Sequence, residues 1–170
     1  LGRKEACKTS VGGLKAVYFI NYDGALLSGA TFTGELMTAI TAVSPSFKYE
    51  LKGDNNTFEE ANENSRDNGT SFFTQTGALV LKVQDSATQA ELTLLSYGRP
   101  HVIIEDHNGN FRLAGAKNGV EVSVSTSTGG AMGDLNGYNL SFEGKEINMS
   151  TYVDSALMGA VDGFTVTEGA

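Results

Sequence analysis

Residues 70–83 (TSFFTQTGALVLKV) constrain the fold more than any other stretch of this chain. Phe73, Gln75, Gly77, Leu79, Leu81 and Val83 fall on one side of an extended backbone. Phe72, Thr74, Thr76, Ala78, Val80 and Lys82 fall on the other. A period of two sustained this long is a strand, and a long strand is stable only with partners beside it. The next residues read as a helix over 86–97, with Ser86 as N-cap and Gln89 as the reciprocal member of a capping box. Ala87, Ala90, Leu94, Leu95 and Tyr97 share one side of it, and Leu92 lies off that stripe. Gly98 and then Pro100 stop the helix. A short apolar strand over 101–105 follows, and Asp106-His107-Asn108-Gly109 turns it back into 110–113. The expectation is β-structure with one helix laid across it.

Other segments repeat the pattern. Residues 14–20 (LKAVYFI) are rich in aromatic and β-branched side chains and read as a strand. Residues 21–34 read as a loop with a short strand near 30–32. Residues 35–43 fit both a helical and a strand face; without a cap, and with Thr and Ile present, strand is preferred. Residues 46–52 alternate Phe47, Tyr49 and Leu51 against Lys48 and Glu50. Residues 119–126 set Val120, Val122 and Val124 against Glu121, Ser123 and Ser125, and residues 135–143 align Tyr138, Leu140 and Phe142. A short helix is expected over 152–161 and a last edge strand over 163–167. The expected architecture is a β-sandwich or half-barrel of antiparallel strands with one flanking helix, a single domain over 1–170. An extended arm (1–13), a polar loop (53–69) and a less ordered tail (145–170) complete it. The polar loop carries five carboxylates and a lone phenylalanine, Phe58, and it reads either as a mobile surface loop or as a segment that orders against a neighbouring subunit with Phe58 as anchor.

Composition narrows the function. The 20 acidic and 12 basic side chains leave a net charge of −8, which disfavours a nucleic-acid reader that must displace counterions. Cys7 is the only cysteine, so no internal disulfide or cysteine-based metal site forms, and it reads as a buried or arm-borne thiol. The N-terminal residues carry charge without an apolar run after them, unlike a signal peptide, and no stretch is apolar enough to insert in a membrane. His101 and His107 read as surface or strand-end residues, not as metal ligands. Asp106-x-Asn108-Gly109-Asn110 resembles part of a calcium loop but lacks its later bidentate carboxylate. No nucleophile elbow, phosphate loop or dinucleotide fingerprint is present, so neither catalysis nor a cofactor is expected.

Sheet with little cover has edges, and unpaired edges favour strand addition between subunits. Taken in order, 12–18 (GGLKAVY), 47–52 (FKYELK), 68–73 (NGTSFF) with Gln75, 102–106 (VIIED) with Asn108 and Gly109, and 133–138 (GDLNGY) with 142–144 (FEG) carry a resemblance. The succession resembles the tail-tube-like structural proteins of tailed bacteriophages, particularly phages of the Bacteroidetes, over about residues 7–145. The resemblance implies stacked hexameric rings around a lumen through which DNA passes without specific binding. The partners would be copies of the chain and other tail or neck proteins, in a virion assembled in the host cytoplasm. Tail tube and neck ring share this fold, and both remain open. On this reading Phe58, Asn68, Gly69 and Phe72 are the expected subunit contacts, and Glu59, Glu60 and Glu63 the acidic lining. Two alternatives stand beside it. One is a carbohydrate- or peptide-binding sandwich in which Tyr22, Phe32, Phe58 and Tyr152 converge. The other is a hydrolase that uses Glu59 and Glu63.

Overall fold

The computed structural model describes residues 2–3, 7–41, 44–159 and 163–168. It is a β-sandwich flanked by one helix. In chain order the elements are β1 (Leu14–Ile20), β2 (Thr31–Thr33), β3 (Leu36–Ala39), β4 (Ser44–Glu50), β5 (Thr57–Ser65) and β6 (Thr70–Lys82). Then come α1 (Ser86–Tyr97), β7 (His101–Asp106), β8 (Phe111–Ala114), β9 (Glu121–Ser127), β10 (Gly137–Glu146), β11 (Thr151–Val153) and β12 (Phe164–Glu168). Eight strands form one sheet in the order β12-β4-β1-β7-β8-β11-β3-β2, and four form the other in the order β5-β6-β10-β9.

The core between the sheets draws Val17 and Phe19 from β1, Leu79 from β6, Leu140 and Phe142 from β10, and Leu92 from α1. A second core lies on the far face of the larger sheet, where Ala16, Tyr18 and Ile20 meet Leu26, Met37, Ile103 and Leu157. β1 and β7 are therefore buried on both faces, which is why their sequences are almost continuously apolar. The long strand β6 behaves as its alternation requires: Gln75, Gly77 and Leu79 point inward. Gly77 has no room for a side chain here, because a Cβ would run into the Phe142 ring. β6 stops one residue short of Val83, whose φ of 69° is a strained setting for a β-branched side chain.

Several expectations need correction. Residues 53–69 are not an irregular loop: β5 occupies most of them and pairs with β6 from Thr57↔Ala78 to Ser65↔Thr70. Its polarity misleads because an edge strand buries little. The tail after 145 contributes β11, a 3-10 turn (Ser155–Leu157) and β12, and the expected helix over 152–161 is reduced to that turn. Residues 160 and 161 lie outside the described residues, as do 42 and 43 of the expected strand 35–43 and residues 1 and 4–6 of the arm. β11 and β12 join their sheet in parallel with β3 and β4, so the sheet is not wholly antiparallel. The helix is capped by Asp85, not Ser86: its carboxylate accepts from Thr88 N at 2.8 Å and from Thr88 Oγ1 at 2.6 Å. A charged acceptor wins over a neighbouring hydroxyl. The helix face is also reversed, with Leu92 buried and Leu94 and Tyr97 74% and 86% exposed. The helix lies along β9, where Leu92 reaches the inter-sheet core and Leu95 packs against its margin.

His101 is fully buried, not a surface residue. Its Nδ1 lies 2.6 Å from the Gly115 carbonyl and its Nε2 accepts from Asp23 N at 3.0 Å. His107 and Cys7 are exposed.

Candidate functional site

The two faces of the four-stranded sheet differ in kind. Inward go Phe58, Glu60, Gln75, Gly77, Leu79, Tyr138, Leu140, Phe142, Val122 and Val124. Across the outward face run rows of short or polar side chains. One row is Glu59, Thr76, Glu143 and Glu121, one residue from each strand. The next is Thr57, Ala78, Ser141 and Ser123, and beyond it Val80, Asn139 and Ser125. The first two of these rows line a shallow trough of about 500 Å³. Glu59, Glu63, Glu121 and Glu143 stand on this face against Lys82 and Lys145, and Lys145 Nζ is 3.5 Å from Glu143. The face is therefore acidic, with mostly short polar side chains between its charged groups.

The expected lining residues divide between the faces. Glu59 and Glu63 point outward, and Glu63 Oε1 accepts from Thr74 Oγ1 at 2.5 Å. Glu60 points inward, because one position along a strand reverses the side chain. Its side chain is only 5% exposed. Oε1 accepts from Gln75 Nε2 at 3.0 Å and from Ser150 N at 2.6 Å. Oε2 accepts from Ser150 Oγ at 2.8 Å and lies 3.5 Å from Arg112. Gln75 Oε1 in turn accepts from Gly115 N at 2.8 Å. Glu60 thus fastens the small sheet to β8 and to Ser150 just before β11, and it does not share the outward face of Glu59 and Glu63. Glu121 and Glu143 complete the acidic row instead. The signal for Glu121 lay in its alternation with Val120 and Val122.

The expected subunit contacts also divide. Phe58 is internal, its ring stacked on Phe142 at 6.1 Å between centroids, so it is not a free anchor. Asn68 and Gly69 lie exposed in the β5–β6 turn, where Gly69 adopts a φ of 63°. Phe72 stands on the outward face opposite Glu63, with the Lys145 ammonium 6.0 Å from its ring centre. The four aromatics of the binding-module alternative do not form one cluster. Tyr22 stacks between His101 and Arg99, Phe58 is internal, and Tyr152 carries the Arg112 guanidinium 4.6 Å above its ring.

The margins of the small sheet are β5 and β9. Among the described residues, no backbone-to-backbone hydrogen bond from outside the sheet reaches either strand. The arm approaches the same region: Asn108 binds Val11 through both amide atoms, accepting from Val11 N at 2.9 Å and donating to Val11 O at 2.8 Å. A groove between the arm and the start of β5 is lined by Gly13, Asn56, Thr57, Glu59 and Asp106. Comparison of the chain with protein-family models, with curated proteins and with solved structures finds no match.

Proposed function

We propose that this chain is the repeating subunit of a ring or stacked-ring tube in a phage virion, part of a tail or neck channel through which DNA passes. The observation that carries the reading is the small sheet, whose margins β5 and β9 receive no backbone hydrogen bond from outside among the described residues, although α1 lies alongside β9, and whose outward face is acidic. Unpaired margins are a hazard in a monomer and a joint in an assembly. If β5 of one copy pairs with β9 of the next, the contact is heterologous, and it gives a ring where its rotation closes and an open filament where it does not. The outward faces then form one continuous wall. Its carboxylates repel phosphate, so a polyanion slides along it without adhering, and its short side chains leave the passage clear.

Electron microscopy of the purified chain across a concentration series tests this reading. Rings or tubes are the expected result. A strictly monomeric species at every concentration overturns it.

A further inference from the structure

The sheet margins account for lateral joining but leave two apolar features unused, at opposite ends of the sandwich. The first is Met132, completely exposed at 108% of its reference area. It sits in the β9–β10 connection, which is rigid by construction. Asp134 Oδ2 accepts from Gly130 N and Ala131 N at 2.8 Å each, Asp134 N donates to Ala131 O at 3.1 Å, and Gly129 takes a φ of 68°. An apolar side chain held at the tip of a fixed turn gains nothing in the monomer. It loses little freedom on docking.

The second feature is a cleft of about 390 Å³ between the C-terminal half of α1 and strands β1 and β4. Phe47, Tyr22 and Leu94 line it, at 42%, 41% and 74% exposed, with Phe19 and Leu95 behind them. Arg99 closes one side, its guanidinium 4.3 Å above the Tyr22 ring. Among the described residues Arg99 makes no ion pair.

Strand register places the two at opposite ends. Gly137 pairs with both Lys82 and Ser127, so the Met132 turn lies at the end where β6 finishes and α1 begins. Val120 N donates to Pro100 O at 2.9 Å, so the cleft lies at the far end, where β9 begins. A knob at one end and a hole at the other give a contact that repeats along the strand direction.

We infer that copies of this chain also join end to end, with Met132 of one copy seated in the α1–β4 cleft of the next and Asp134 facing Arg99. The occupant is a second copy because the charges match: Asp134 Oδ2 holds the turn while Oδ1 stays free for the guanidinium. An unbranched thioether adapts readily to an aromatic-lined cleft of this kind. This contact rests on the assembly reading but is separate from the ring joint.

Mixed disulfide trapping tests it. On a Cys7→Ser background, one population carries Met132→Cys and the other Leu94→Cys, both exposed positions that leave the core intact. Oxidation of the mixture is expected to give crosslinked heterodimers at about tenfold the yield of a Met132→Cys and Ala61→Cys control pair, since docking raises the effective concentration. Arg99→Glu should abolish end-to-end growth, whereas Arg99→Lys, which keeps the charge and leaves the Met132 turn untouched, should retain it. Particles seen by electron microscopy with control-level crosslinking would overturn the end-to-end contact alone. Monomers throughout, with no crosslink, would overturn this contact and the assembly reading together.

Discussion

The two sheets of this sandwich are made under different rules. Strands β1 and β7 of the larger sheet are covered on both faces, by the inter-sheet core and by the second core beyond it. The small sheet is covered on one face only, and its other face is a pattern of Glu, Ser, Thr and Asn. Burying both faces of the first sheet fixes the subunit. The second sheet keeps one face uncovered, and among the described residues no outside backbone hydrogen bond reaches its margins. The difference separates the surface that holds the subunit together from surface that the subunit itself does not use.

The comparison breaks first, and hardest, at the larger sheet. Ile103→Ala should cost about 2–5 kcal/mol in chemical denaturation, whereas Thr76→Ala and Ser141→Ala on the open face should stay within about 0.5 kcal/mol. Next comes the link between the sheets. Glu60→Ala strands the donors of Gln75, Ser150 and Arg112 and should cost about 2–4 kcal/mol, against almost nothing for its neighbour Glu59→Ala. Equal effects for the two glutamates would show that the face assignment of β5 is wrong. Changing Glu59, Glu121 and Glu143 together to Lys should leave the denaturation midpoint nearly unchanged. It should convert assembled particles into ones that retain DNA in a salt-dependent way. Retention no greater than in the parent would place these residues away from any DNA path.

The smallest effects concern pH. The Thr88 hydroxyl and amide hold Asp85 below its ordinary pKa, and the Ala131 and Gly130 amides do the same for Asp134. Because both folded values are depressed, the stabilisation is complete above the unfolded carboxylate range, near pH 4. It is lost only as pH falls through the lower folded values. Amide resonances of Thr88, Gly130 and Ala131 should therefore be flat from neutral pH to about 5 and move only below about 4. Movement centred near neutral pH would contradict the hydrogen-bond assignment.

Much of this architecture is legible in the residues. Period-two patterning locates β4, β6, β9 and β10, and the dense apolar runs locate β1 and β7. Misreadings cluster where side-chain chemistry and burial part company. β5 looks like a loop because an edge strand with one wet face and a free margin needs few apolar residues. The long helix stripe of Leu94 and Tyr97 looks like a core face, but the narrow gap along β9 admits Leu92 instead. His101 follows a helix-ending proline and looks peripheral. It is buried because its two ring nitrogens bridge Gly115 and Asp23, partners that only the folded chain brings together. Glu60 and Glu105 are similar cases. Glu105 meets Lys15 and the Tyr18 hydroxyl across the β1–β7 pairing, and no local pattern announces either carboxylate. Of the three glutamates expected to lie together, Glu59 and Glu63 face outward and Glu60 does not. The other carboxylates of the outward face, Glu121 and Glu143, come from strands distant in sequence and meet Glu59 only through sheet register.

Strand addition at the β5 margin is the claim on which the functional account turns, and hydrogen exchange reads it directly. The β5 amides that β6 leaves unpaired should exchange quickly in dilute protein and become protected as particles form, in step with those on the outer side of β9. Particles that form while both margins go on exchanging at their dilute rates would contradict the account.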